Sequence, residues 1–163
     1  LHFTETFRQL TKIPPPRFQA CNPIELIERV LTLLSPELNK KGIEIERQFK
    51  DKNYEAQLDP DLMEQVFLNL LKNAMDALEG TKEPKIAIHL FKSLEGELEI
   101  QVTDNGPGIS EQLLDQIFVP FFTTKEEGSG IGLSLSRQIV QMHKGNLYAY
   151  SRVGKGTIFT MKL

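Results

Sequence analysis

The sequence predicts an α+β fold, a two-layer sandwich in which about three helices cover one mixed, largely antiparallel sheet. Three observations carry this expectation. Ile86, Ile88 and Leu90, then Leu98, Ile100 and Val102, alternate with other residues on either side of Glu95-Gly96, the pattern of a hairpin with one buried face. Residues 59–79 place apolar side chains at helical spacing. The last third of the chain runs from a helical segment into two more alternating strands, so helices and antiparallel strands are mixed.

Each element follows from local chemistry. Phe3, Phe7 and Leu10 stand at i, i+4 and i+7, which predicts a helix over residues 1–12. Ile13-Pro14-Pro15-Pro16 stops it, because proline lacks a donor and forces its predecessor out of the α region, and residues 13–19 read as a short stiff linker. Asn22-Pro23-Ile24-Glu25 is a helix start. The helix it opens buries Ile24, Ile27, Val30, Leu31 and Leu34, is perturbed near Ser35-Pro36 and ends around Gly42. Ile43 and Ile45 begin a half-buried strand. A second helix starts at Asp59-Pro60 and runs to Gly80, with Met63, Val66, Phe67, Leu70, Leu71, Ala74 and Leu78 on one arc. After the hairpin, a third helix is expected from about Ile131 to His143 with Gly145 as its C-cap, then strands near 146–150 and 157–163.

Composition narrows the function. Nineteen Lys and Arg against 22 Asp and Glu leave a net charge of −3 without a basic run, which argues against a general binder of nucleic acid or anionic membrane. A single cysteine, Cys21, rules out an internal disulfide framework or a multi-cysteine metal site. No apolar run approaches the roughly 20 residues that cross a bilayer, and no signal peptide is evident. The sequence starts without Met inside a helical stripe, so it reads as a soluble piece of a longer chain.

Four segments carry chemistry. Opposite the apolar arc of the second helix lie Gln65, Asn69, Lys72, Asn73 and Asp76. These form either a solvated face or a ligand face. Two Asn at i, i+4 are poor helix formers, and carboxamide oxygens projecting together suit a hard cation such as Mg²⁺. Next, Asp104-Asn105-Gly106-Pro107-Gly108-Ile109 closes a strand with a tight turn. Asp104 there is either a local cap or an acceptor for an exocyclic amine. The segment from Ile117 to Lys125 then sets three aromatics beside Thr123, Thr124 and a lysine, as a core-anchored loop or a lid with a phosphate-seeking tip. Finally Gly128-Ser129-Gly130-Ile131-Gly132-Leu133 opens a helix, where backbone amides favour an anion. Its spacing fits neither the P-loop nor the dinucleotide fingerprint.

Taken in this order, the four segments closely resemble the catalytic, ATP-binding domain of bacterial sensor histidine kinases, a family grouped with DNA gyrase B, the Hsp90 chaperones and MutL. The resemblance covers roughly residues 20–163, with 1–12 as the end of the preceding dimerisation and phosphoacceptor hairpin and 13–19 as its linker. It implies ATP and Mg²⁺ as ligands. By similarity Asn69-Leu70-Leu71-Lys72-Asn73-Ala74 is the N box, with Asn73 the Mg²⁺ ligand and Asn69 near the phosphates. Asp104 should accept from the adenine amino group, supported by Thr157, while Gly106 and Gly108, followed by Ile109, let the backbone close on base and ribose. Phe118 to Lys125, including Phe122, Thr123 and Thr124, matches the F box. Gly128, Ser129, Gly130, Gly132 and Leu133 match the second glycine box around the phosphates. Where many members carry Lys or Arg this chain has Asp76, and its lid is short, only Glu126-Glu127.

The resemblance implies a protein-histidine kinase that transfers the γ-phosphoryl group of ATP, with Asn69 and Lys125 as its catalytic pair. Hydrolases of the superfamily usually carry a Glu where this chain has Asn69, and a carboxamide has no titratable group to act as general base. An ATPase and a non-catalytic nucleotide sensor are the alternative readings. His2, His89 and His143 lack the context of a phosphoacceptor, with His143 read as a cation ending a helix, so the acceptor is expected outside this chain. Implied partners are the phosphoacceptor hairpin of the same or a partner subunit, a response regulator and a second copy of the full-length protein. The domain is expected in the cytoplasm, with membrane anchoring left to the parent.

Overall fold

The structure, a computed structural model, describes residues 12–163 together with Thr4, Glu5 and Arg8. His2 and the expected stripe of Phe3, Phe7 and Leu10 lie outside the described residues. In chain order the elements are β1 (Gln19–Cys21), α1 (Pro23–Lys40), β2 (Glu44–Phe49), β3 (Ala56–Leu58), α2 (Pro60–Ala77), β4 (Lys85–Lys92), β5 (Leu98–Asp104), α3 (Glu111–Leu114), α4 (Gly132–Met142), β6 (Asn146–Arg152) and β7 (Gly156–Lys162). Both long N-terminal helices start as the sequence requires. The Asn22 side chain accepts from the Ile24 N–H at 3.0 Å, and Asp59 accepts from the Leu62 N–H at 3.1 Å, each followed by proline where no donor is needed.

Five strands form the main sheet in the order β2-β4-β5-β7-β6, parallel between β2 and β4 and antiparallel elsewhere. The register sets Ile88 opposite Val102, Val102 opposite Phe159 and Leu147 opposite Met161, so one face is continuously apolar. That face joins the buried stripes of α1, α2 and α4 in one core, which is the expected α+β sandwich. A second, two-stranded sheet was not evident from the sequence. In it β1 pairs antiparallel with β3, Cys21 opposite Ala56, and fastens the start of the domain beside α2.

Three local expectations are corrected. The helix α1 runs unbroken through Pro36. The Ser35 hydroxyl donates to the Thr32 carbonyl at 2.8 Å, replacing the N–H that Pro36 cannot supply. The C-cap of α4 is His143, not Gly145, and Lys144 takes the left-handed turn at φ 59°. Gly145 answers a different demand, since a Cβ there would lie 2.3 Å from the Lys162 carbonyl. His143 is also not a cation at a helix end. Its ring is buried, Nδ1 donates to the Ile139 carbonyl at 2.7 Å, and Nε2 accepts from the Asp59 N–H at 3.0 Å. A nitrogen that accepts from a backbone N–H carries no proton, so the imidazole is neutral. Among the described residues, the single turn α3 adds to the three helices expected over the sheet.

Candidate functional site

The polar arc of α2, the turn after β5, the loop between α3 and α4, and the start of α4 converge on one cleft of about 900 Å³. That is the size of a small-molecule site. Most of the residues singled out by sequence line the cleft; Gln65, Gly106 and Phe118 do not. A Cβ on Gly106 would stand 2.8 Å from the Ala77 carbonyl. Gly108 lines the cleft, but its lack of a side chain answers to the protein: at φ 77°, a Cβ would lie 2.3 Å from the Arg152 carbonyl. The sequence reading gave no binding role to Ala77, Glu79 and Phe159, which also line the cleft.

At one end sits Asp104, the last residue of β5 and only 3% exposed. Its Oδ1 accepts from the Gly106 N–H at 2.9 Å, and the Thr157 N–H opposite also donates to the carboxylate. Burial pushes its pKa up, and these two N–H donors pull it partly back. Behind it, the Ser151 hydroxyl lies 2.8 Å from the Thr157 hydroxyl, bonds the Gly156 carbonyl at 2.9 Å and accepts from the Ile109 N–H at 2.7 Å. Ser151 thus ties the turn after β5 to the β6–β7 hairpin. Only its alternation within a strand hinted at it.

At the other end, α2 presents Asn69, Asn73 and Asp76. The Asn69 amide donates to the Ser136 hydroxyl at 3.2 Å, and that hydroxyl donates to the Gly132 carbonyl at 2.8 Å. Ser136 is fully buried, so it fixes which way the Asn69 carboxamide faces. It escaped the sequence reading because a serine four residues into a helix is unremarkable unless its neighbour on another helix is known. Lys125 reaches over from the loop, its Nζ donating to Asn73 Oδ1 at 3.0 Å and to Asp76 Oδ2 at 2.7 Å. The partner of Asp76 is therefore this lysine.

Two backbone features shape this end of the cleft. The Phe121 N–H donates to the Gly130 carbonyl at 2.8 Å, and a Cβ on Gly130, at φ 72°, would lie 2.5 Å from the Phe121 carbonyl carbon, so the two loops are zipped together. Among the described residues α1, α2 and α3 each have a capping side chain, but α4 has none at Ile131, which leaves its first N–H groups without one. A Cβ at Gly132 would meet only the Asn69 carboxamide at 3.8 Å; the glycine keeps that space open. Phe118 anchors the loop, edge-on to Phe159 at 6.4 Å with the Arg137 guanidinium 3.5 Å from its ring centre. The charged lining comprises two cations, Lys72 and Lys125, against five carboxylates, Asp76, Glu79, Asp104, Glu126 and Glu127. A polyanion entering such a cleft needs further positive charge.

Comparison with known proteins identifies the family and the fold. Residues 58–163 match the family described as histidine kinase-, DNA gyrase B-, and HSP90-like ATPase. Sensor histidine kinase ZraS of Escherichia coli (strain K12) is 40% identical over 145 residues, 89% of this chain and 30% of ZraS. The chain thus spans about a third of the length of that relative. The nucleotide-free catalytic domain of histidine kinase ThkA superposes with a TM-score of 0.80 at 32% identity, covering 90% of this chain and 95% of that one. ThkA in complex with the response regulator TrrA gives a TM-score of 0.76 at 28% identity, over 90% of this chain and 41% of that one.

Proposed function

Since the chain belongs to the histidine kinase-, DNA gyrase B- and HSP90-like ATPases, as a catalytic domain of the sensor histidine kinase type, we propose that it binds Mg²⁺·ATP and passes the γ-phosphoryl group to a histidine outside residues 1–163. The observation that carries this reading is Asp104. A buried carboxyl whose partners are backbone N–H groups, at the closed end of a cleft, is costly to the fold and suited to accept from an exocyclic amine. Adenine presents such an amine.

At the other end, the uncapped start of α4 and the amides around Gly128 and Gly130 receive the phosphates. Asn73 fits Mg²⁺, because its Oδ1 already faces a cation in the form of Lys125. The metal, when bound, neutralises phosphate charge that two lysines among five carboxylates do not. Asn69, held by Ser136, supplies no carboxylate to activate water, which favours transfer over hydrolysis. Lys125 then serves the terminal phosphate; phosphoryl transfer needs mainly positioning and charge neutralisation.

Neither described histidine suits the acceptor role. Both ring nitrogens of His143 are engaged in the core, and His89 lies within β4. The acceptor is assigned to an upstream hairpin of the same or a partner subunit, with a response regulator receiving the phosphoryl group. The full-length protein would act as a homodimer, this domain facing the cytoplasm. The test supplies a longer chain, restoring the upstream segment, with γ-labelled ATP. Acid-labile, base-stable phosphate on that segment is expected. Its absence would overturn the kinase reading, and release of free phosphate without transfer would favour a hydrolase.

A further inference from the structure

We propose that Asp76 is a positioning residue: with Asn73 it forms an oxygen pair for one cation, a place that the Lys125 ammonium holds without nucleotide and yields to the divalent ion when nucleotide binds. The two residues are three apart on α2, hence neighbours on one face. Lys125 Nζ, from a loop some fifty residues downstream, lies 3.0 Å from Asn73 Oδ1 and 2.7 Å from Asp76 Oδ2. An ammonium and a divalent ion cannot both contact Asn73 Oδ1, since their like charges would stand a few ångströms apart. Oxygen is also what a hard cation selects.

The strength of the contact suits an exchange. Lys125 is 44% exposed and Asp76 50%, so the pair lies where solvent screens it and biases the loop by no more than about fivefold. A fully buried pair would hold the lysine against any ligand. The turn that carries it is separately built: the Lys125 N–H donates to Thr123 Oγ1 at 3.0 Å, and the Gly128 N–H to the Lys125 carbonyl at 3.3 Å. The side chain can therefore leave Asp76 for a phosphate oxygen without the turn being remade. The metal half of the exchange rests on the nucleotide reading above, whereas the ion pair does not.

The test reads amide hydrogen exchange at Lys125 and Gly128 by NMR, without nucleotide and with AMPPNP in Mg²⁺ or in EDTA. In nucleotide-free protein, Asp76→Asn and Lys125→Gln should each speed exchange about two- to fivefold, and the double variant no further. With Mg²⁺ and AMPPNP, the native chain and Asp76→Asn should exchange alike, because Lys125 has left Asp76 in both. In EDTA the difference between them should persist. Equal nucleotide-free rates, or singles that multiply in the double variant, would overturn the ion pair. A difference surviving in Mg²⁺, or vanishing equally in EDTA, would overturn the metal's part. Failure of native protein to bind AMPPNP by calorimetry would overturn the nucleotide reading and the metal half together; the nucleotide-free cycle still decides the pair by itself.

Discussion

The Asp104 carboxyl sets binding against stability. Because burial raises its pKa in the folded chain, the native state holds the proton over a pH window in which the unfolded state has lost it. Stability therefore falls as pH rises through that window, and a charged Asp104 destabilises the nucleotide-free fold. Asp104→Asn keeps an oxygen for the Gly106 N–H and removes the charge, so it should raise the melting temperature at pH 7. The gain should shrink as pH falls toward the ordinary carboxyl range. Asp104→Ala loses a charge-assisted bond to the base, costing about 1.5–3 kcal/mol, or about a 10- to 150-fold loss of ATP affinity by calorimetry. From the sequence, a carboxylate at a strand end before two glycines could be a local cap or an acceptor for an amine, and the Gly106 N–H bond shows the cap. Ser136 and Ser151 were not legible, because each acts by bridging residues that only the folded chain brings together.

The helix α2 is the element most fully written in the sequence, since seven apolar positions at helical spacing all prove buried. What its periodicity could not reveal is how its N-terminus is held. Asp59 caps the helix with Oδ1 while Oδ2 accepts from the Arg17 N–H at 2.8 Å, and His143 takes the Asp59 N–H. Burial raises the Asp59 pKa, but the N–H donors of Arg17, Leu62 and Asp61 outweigh it and leave it lowered. Its contribution is thus full above the ordinary carboxyl range and is lost as pH falls through the lowered value. Asp59→Ala should cost about 0.5–2 kcal/mol at pH 7. Urea unfolding should show that gap closing in acid, whereas a gap constant with pH would refute the capping account. The pairings of β1 with β3 and of β2 with β4 were beyond the sequence for the same physical reason: alternation marks a strand and its buried face but not its neighbour.

For the molecule as a whole, a ligand that binds only the folded state stabilises all of it. Mg²⁺·AMPPNP at a hundred times its dissociation constant should add about 2.7 kcal/mol. In a domain of this size that raises the melting temperature by about 5–11 °C. Asp104→Ala at the same concentration should show a much smaller rise. Equal rises would place the nucleotide somewhere other than this cleft.

Mechanically, the clasp at Asp59 is a joint. Pro14-Pro15-Pro16 makes a strut that polyproline geometry would extend by about 3.1 Å per residue. The next residue, Arg17, is bonded to the aspartate that starts α2, and Phe18 lies edge-on to the His143 ring with centroids 5.3 Å apart. From Asp59 to Asn69 is ten residues of nearly continuous helix, about 15 Å of stiff rod. A torque applied through the strut therefore has a short, rigid path to the Asn69 and Asn73 carboxamides, with Asp59 as one of its bearings.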